Sequence, residues 1–269
     1  DITGNKSIFK VSKDNQEFMW EPLAVRSLGS YSTTQNLYKN KYGNKIIFEE
    51  INHDLELIFR YQWSSSNTFG FIKKSKLINT SDSAVKVSLL DGIQNIMPAS
   101  IGSDEQNQSS NLVDAYKRNE LEEKTGLGIF ALSAILVDKA EASEALKANV
   151  VWSLGLDNPK HLLSSLQLND FRLGKSINQE IDVKAEKGAY FLNSEIILEK
   201  ESSKEWMIIA NVNQNHSSIA KLSKQIQEES SLIDIINDDI NTGTRRLVDL
   251  NSASDAIQIT SDNLKDTRH

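Results

Sequence analysis

The sequence predicts a mainly β protein: a large antiparallel β-sandwich over residues 1–215, followed by a helical segment over residues 216–269. Three observations carry that prediction. The stretch from Leu55 to Pro98 reads as consecutive strands joined by short polar turns. About ten or more short strand patterns, separated by turn residues, precede residue 215, as in a sandwich. Beyond residue 215 the apolar spacing changes from two to three and four, which is the helical period.

Within the central stretch, LELIFRYQW places Leu55, Leu57, Phe59, Tyr61 and Trp63 on one face and Glu56, Arg60 and Gln62 on the other. Alternation of this kind in aromatic and branched residues marks a half-buried strand. FGFIKKSKLIN is the next strand, and Asn79 to Ser83 supplies turn chemistry, because Asn, Asp and Ser side chains bond to nearby backbone. AVKVSLLDG is the third strand, expected to stop at Asp91-Gly92, with Pro98 barring an easy continuation.

Upstream, SIFKVS alternates and NKIIFEE is an apolar run with charged ends, while EFMWEPLAVRSLGSYSTTQ between them reads as irregular. Trp20 and Tyr31 in that stretch offer flat platforms for a sugar, but packing beneath a long loop is the better reading of both. Downstream, residues 99–110 read as a polar loop and NLVDAYKRNELEEKTG as a short helix. GIFALSAILVD and KANVVWSLGL read as strands, with AEASEAL a turn between them; HLLSSLQL is open between strand and helix. NDFRLGK reads as a turn, INQEIDVKAEKGAYFLNSEIILEK as two strands broken at Lys187-Gly188, and EWMIIANVNQ as one more. Ile219, Leu222, Ile226, Leu232, Ile233, Ile236 and Ile240 then define the helical segment, with Ser217 or Ser218 as N-cap and Gly243 as the stop.

Composition narrows the chemistry. The chain has 269 residues and no cysteine, so disulfides, thiolate catalysis and cysteine zinc sites are excluded. Thirty basic and 37 acidic residues give a net charge of −7, which opposes nucleic acid or an anionic membrane as the main partner. No apolar run approaches the roughly 18 residues of a membrane span. Neither terminus tells where the protein works: DITGNKSIFK carries no recognisable leader, and the polar end reads as a truncation.

Catalytic patterns are sparse. GxSxG, GxGxxG and GxxxxGK loops do not occur, and His53, His161, His216 and His269 lack the spacing of a metal pair. No cofactor or metal is expected. Asp91, Asp114, Glu120 and Asp138 are candidate carboxylates for glycoside chemistry, although solvated turns explain them as well. The segment DGIQNIMP differs in kind. Asp91, Gln94 and Asn95, held between Gly92 and Pro98, would form a rigid polar loop suited to sugar hydroxyls, which need donors and acceptors together. A structural turn accounts for the same residues.

The order of FRYQWSSSNTFGFIKKSKLIN, LLDGIQNIMP, LVDAYKRNEL, LSAILVDKAEASEALKANVVWSLGL, LQLNDFRLG, KGAYFL and EWMIIANV resembles the N-terminal region of bacterial inverting disaccharide phosphorylases of the cellobiose and chitobiose type. The resemblance spans most of residues 45–215. It implies a galactose-mutarotase-like β-supersandwich, a helical linker at residues 217–241, and an (α/α)6 barrel, beyond the given sequence, that carries the catalytic acid. On that reading the chain is a non-catalytic domain of a glycoside hydrolase or phosphorylase. It supports the barrel, a homodimer contact or the frame of an oligosaccharide site, and Asp91, Gln94 and Asn95 face the sugar. Two alternatives remain. A mutarotase or epimerase would bring His53 and His161 together with Asp91 or Asp138. A carbohydrate-binding module would expose aromatics among Trp20, Trp63, Trp152 and Trp206 along a groove.

Overall fold

Alternating burial along the strands stacks two antiparallel sheets face to face. The computed structural model describes residues 4–13, 16–134 and 146–254, with the backbone of 257–258 and 267–268. Its strands are β1 (Gly4–Lys13), β2 (Gln16–Trp20), β3 (Thr33–Lys39), β4 (Ile46–Asn52), β5 (Leu57–Ser66), β6 (Gly70–Asn79) and β7 (Val85–Ile96). After these come β8 (Lys117–Glu122), β9 (Leu127–Leu132), β10 (Lys147–Leu154), β11 (Lys160–Leu162), β12 (Asp182–Lys184), β13 (Gly188–Leu198) and β14 (Ser203–Asn215). Among the described residues, a small sheet has the order β11-β13-β7-β1-β2 and a large one the order β12-β8-β9-β10-β14-β6-β5-β4-β3. The protein is therefore mainly antiparallel β, as the sequence predicts.

The core between the sheets is aromatic. Phe9 lies 5.5 Å from Trp20 and 4.9 Å edge-on from Phe59, and Phe59 lies 6.3 Å from Trp206. Val87 and Leu89 of β7, Tyr190 and Leu192 of β13, Phe130 of β9 and Val151 of β10 complete it. Trp20 is buried with its indole N–H donating to Glu50 at 2.7 Å, and Tyr31 donates to the Met19 carbonyl at 2.8 Å. Trp20 is thus packed in the core between the sheets from strand β2, rather than beneath a loop, and Tyr31 is half-buried against that core.

Two further cores flank the sandwich. The outer face of the small sheet (Ile8, Leu90, Phe191) packs against α3 (Leu168–Arg172) through Leu168 and Phe171. The outer face of the large sheet (Ile72, Trp152, Met207, Ile209) packs against α4 (His216–Glu228) and α5 (Leu232–Ala253). Leu232, Ile236 and Ile240 are the buried stripe of α5, at the spacing seen in sequence. The N-cap of α4 is Asn215, whose side chain accepts from the Ser218 N–H at 2.9 Å, rather than Ser217 or Ser218. Gly243 does not stop α5, which runs on to Ala253.

Several boundaries differ from the sequence reading. β7 does not end at Asp91-Gly92 but continues to Ile96, so the expected polar loop is mostly strand. Gly92 is there for space: a Cβ would collide with the Tyr190 carbonyl and the Phe191 ring on β13. Residues 103–108 form a helix, α1 (Ser103–Gln108), and α2 (Ser110–Tyr116) is shorter than expected because Lys117–Glu122 is strand β8. Its polar inward residues misled: Lys117 donates to Gln106 and Asp114, each at 2.7 Å, and Asn119 to the carbonyls of Leu163 and Glu186 at 3.3 Å. Strands β2 and β3 take only the two ends of the stretch read as irregular; residues 21–32 between them are turns, as read. The turn expected at NDFRLGK is largely α3. Of the expected strand 128–138, residues 135–138 lie outside the described residues, as does most of AEASEAL.

Candidate functional site

Asp91 stands in the middle of the sandwich. It projects from β7 between the sheets and is fully buried. Lys73 of β6, equally buried, reaches across from the large sheet and places Nζ 2.5 Å from Asp91 Oδ1. Ser7 Oγ donates to the same oxygen at 2.5 Å, while Ser75 Oγ at 3.1 Å and Trp206 Nε1 at 2.7 Å donate to Oδ2. Four donors from three other strands thus satisfy the carboxylate, as a charge in low dielectric requires. Burial pushes the Lys73 ammonium below its usual pKa, against the opposing pull of Asp91. Lys73 Nζ also sits 5.5 Å from the Tyr61 ring centre, and Tyr61 is pushed up to about 12 by burial and then by the Asp91 charge. Asp91 therefore ties the two sheets together from the interior and does not stand at the rim where a sugar would meet it.

Gln94 and Asn95 lie further along β7. Gln94 is 9% exposed, and its Oε1 accepts from Ser165 Oγ at 3.5 Å. Asn95 is the extra residue where the β7–β13 register shifts, with φ +53° in the left-handed region. Its buried Oδ1 and that of Asn5, opposite the neighbouring Ile93, have no hydrogen-bond partner. Just past the strand, Asn149 Nδ2 donates to the Met97 carbonyl at 2.7 Å. The three residues singled out from sequence share a strand, and its alternation and bulge send their side chains to different surroundings.

At the same end of the sandwich the inner face of the large sheet is uncovered. The turn 80–84 joins β6 to β7, so the start of β6 lies beside the end of β7. Here Trp63 continues the inward series Leu57, Phe59 and Tyr61 and is half-buried, and Phe71, on the same face as Lys73, is 56% exposed. Ser65 pairs with Phe71 and Ile46 with Trp63, so the two rings are diagonal neighbours across β5 and β6. A groove of about 330 Å³ runs between these rings and Asn44, Lys45, Ser64 and Ser65. The buried hydroxyl of Ser64 has no hydrogen-bond partner.

The lateral edge of the small sheet, level with Asp91 along the strands, holds His161. It is 8% exposed on β11 and lines a polar cleft of about 390 Å³ with Glu123, Ser153, Asn158 and Gln179. Burial pushes its imidazole down to about 4, with a hydrogen bond to Gln179 acting the other way. His53 is not in this cleft: its Nε2 meets Thr34 Oγ1 at 2.8 Å beside β3, at the far edge of the large sheet.

Fold comparison finds partial matches. A polysaccharide lyase aligns over 81% of this chain and 27% of its own, at 12% identity and TM-score 0.44. A protein assigned as a kojibiose phosphorylase, from the human microbiome, aligns over 88% and 27%, at 12% identity and TM-score 0.44. Heparinase III aligns over 77% and 24%, at 9% identity and TM-score 0.37. The chain thus spans about a quarter of the length of these structures. No family model and no curated protein matches the sequence.

The remaining candidates have structural partners or none in reach. Asp114 is paired with Lys117 at 2.7 Å, and Glu120, on β8 rather than a helix, with Arg118 at 2.9 Å. Asp138 lies outside the described residues. Trp152 and Trp206 are buried. Among the described residues no group of three or more His, Cys, Asp or Glu is placed to hold a metal, and no helix is long and apolar enough to cross a membrane. Sequence reasoning missed Phe71 and the His161 cleft. Phe71 carried a usable signal: it opens a strand in phase with Lys73 and Ser75, whose polarity already marked an unusual inner face.

Proposed function

We propose that this chain is a sandwich domain of a carbohydrate-active enzyme, framing a sugar at the Trp63–Phe71 end and leaving bond chemistry to another unit. The observation that supports it is the aromatic pair at an uncovered sheet end, flanked by the exposed hydroxyl of Ser65. An aromatic face suits the C–H face of a sugar ring, and amides and hydroxyls match its hydroxyl groups. Gln94 and Asn95, at the same end of the neighbouring sheet, form the second edge of this frame. The buried Lys73–Asp91 pair supports the division of labour, since a carboxylate enclosed by four donors reaches no substrate proton.

Calorimetry and tryptophan fluorescence with a panel of mono- and disaccharides test the reading. Binding in the millimolar range that weakens at least about tenfold in Phe71→Ala, with no turnover, is expected; a ΔΔG of 1.4 kcal/mol corresponds to that factor. Mutarotation or hydrolysis by the chain alone, or binding indifferent to Phe71→Ala and Trp63→Ala, would refute it. A mutarotase needs two histidines and an acid in one cleft, and the separation of His53 from His161 weighs against that alternative.

A further inference from the structure

The cleft beside the edge strand β11 has the makings of a second site. It is walled by the β8–β9 turn (Glu123, Lys124, Thr125, Gly126), by Ser153 at the end of β10, by Asn158 and Pro159 of the following loop, and by His161 and Gln179. Its polar groups are mixed: one carboxylate, one ammonium, two hydroxyls, two amides and an imidazole. That set offers donors and acceptors without a net charge, the pattern that matches a neutral polyhydroxylated ligand rather than an anion or a cation.

The cleft is held in shape from behind. Tyr190 donates to the Gly126 carbonyl at 2.6 Å and lies within 3.3 Å of Ser153 Oγ, so one buried phenol fixes two of its walls. Gly126 has φ +70°, and a Cβ there would stand 2.5 Å from His161 Nε2. The turn therefore closes over the imidazole only because this residue is glycine. Gln179 hydrogen-bonds His161 and donates to Glu123 Oε2 at 3.4 Å, which links the buried ring to the exposed carboxylate across the opening. The volume of about 390 Å³ is within the range of small-ligand sites.

We propose that this cleft binds one sugar unit through its hydroxyls, with His161, Gln179 and Glu123 as the positioning groups. The choice of a sugar rests on the carbohydrate reading above; the location rests on the cleft itself. Nothing in the cleft serves the Trp63–Phe71 groove, so the two sites are separable by mutation.

Histidine imidazole NMR on the full chain, titrated with glucose, galactose and mannose at pH 7, tests the proposal, with the His161 signal assigned through His161→Gln. The expected result is a saturable shift of the His161 resonances, weakened at least about tenfold in Gln179→Ala, a change at an exposed residue. The same shift should persist in Phe71→Ala. Binding lost in Phe71→Ala and unchanged in Gln179→Ala would overturn this proposal and leave the groove reading standing. A His161 signal unmoved by any of the three sugars at 100-fold excess, in protein that still binds a sugar at the groove, would overturn it as well.

Discussion

Lys73 and Asp91 carry the sharpest consequence at the scale of single residues. Replacing Lys73 by Met leaves the carboxylate buried without its counter-charge, and losses of about 3–5 kcal/mol are typical of such changes. Urea unfolding should show that loss for Lys73→Met, whereas Lys86→Met, which removes an exposed pair with Glu195, should change stability by less than about 1 kcal/mol. His161 gives a pH signature. Its folded pKa of about 4 lies below the ordinary 6.5, so between these values the unfolded chain binds a proton that the folded chain does not. Stability from this group is complete above pH 6.5, falls as the pH drops towards 4 and is constant below that, by about 3 kcal/mol in all. Unfolding free energies measured across pH 4–7 should fall less steeply in His161→Gln. Sequence exposed little of this. Asp91 stood out, but as a loop residue, because Asp-Gly is common turn chemistry and nothing local reveals that Tyr190 requires a glycine beside it.

At the scale of elements, strands with apolar inward faces were legible and strands with polar ones were not. β5 alternates cleanly, β14 is an apolar run buried on both faces, and both were read as strands, as was the helical period of α4 and α5. β8 puts Lys117 and Asn119 inside, so its alternation is invisible until their partners from α1, α2 and β13's approach are known. The candidate site suffered similarly: the strand pattern puts Trp63 on the inward face, and nothing in it shows that Phe71 beside it is left 56% exposed. The course of α5 through Gly243 gives a direct test. A Cβ at Gly243 meets nothing within 4 Å. Gly243→Ala should therefore stabilise the protein by about 0.5–1 kcal/mol, the usual cost of glycine inside a helix. Thermal unfolding should register this as a rise of about 1–4 °C. No rise would mean that α5 frays at that point.

For the whole molecule, the helices are part of the fold and not an appendage to it. Leu232, Ile236 and Ile240 cover Ile72, Trp152, Met207 and Ile209, so a chain ending at residue 215 would expose a contiguous apolar sheet face. Such a truncation should bind a hydrophobic dye and self-associate in ultracentrifugation; a monomeric, dye-silent product would show that the sheet stands without its cover. The sandwich class was readable from strand spacing because turns punctuate it regularly. The order of strands within each sheet was not, since pairing depends on contacts between residues far apart in sequence.

That order bears on how the protein is made. In the large sheet β14 lies between β10 and β6, although it is the last of these strands in the chain. Until residue 215 has left the ribosome, the nascent sheet is two separate halves, each ending in an open edge rich in unpaired amides. Trp206 arrives with the same strand, so the buried Asp91 also lacks its indole partner until then. Translation thus completes every strand from β1 to β13 before the strand that closes the sheet has emerged, and a pause at that point would expose the longest unprotected edges to other chains.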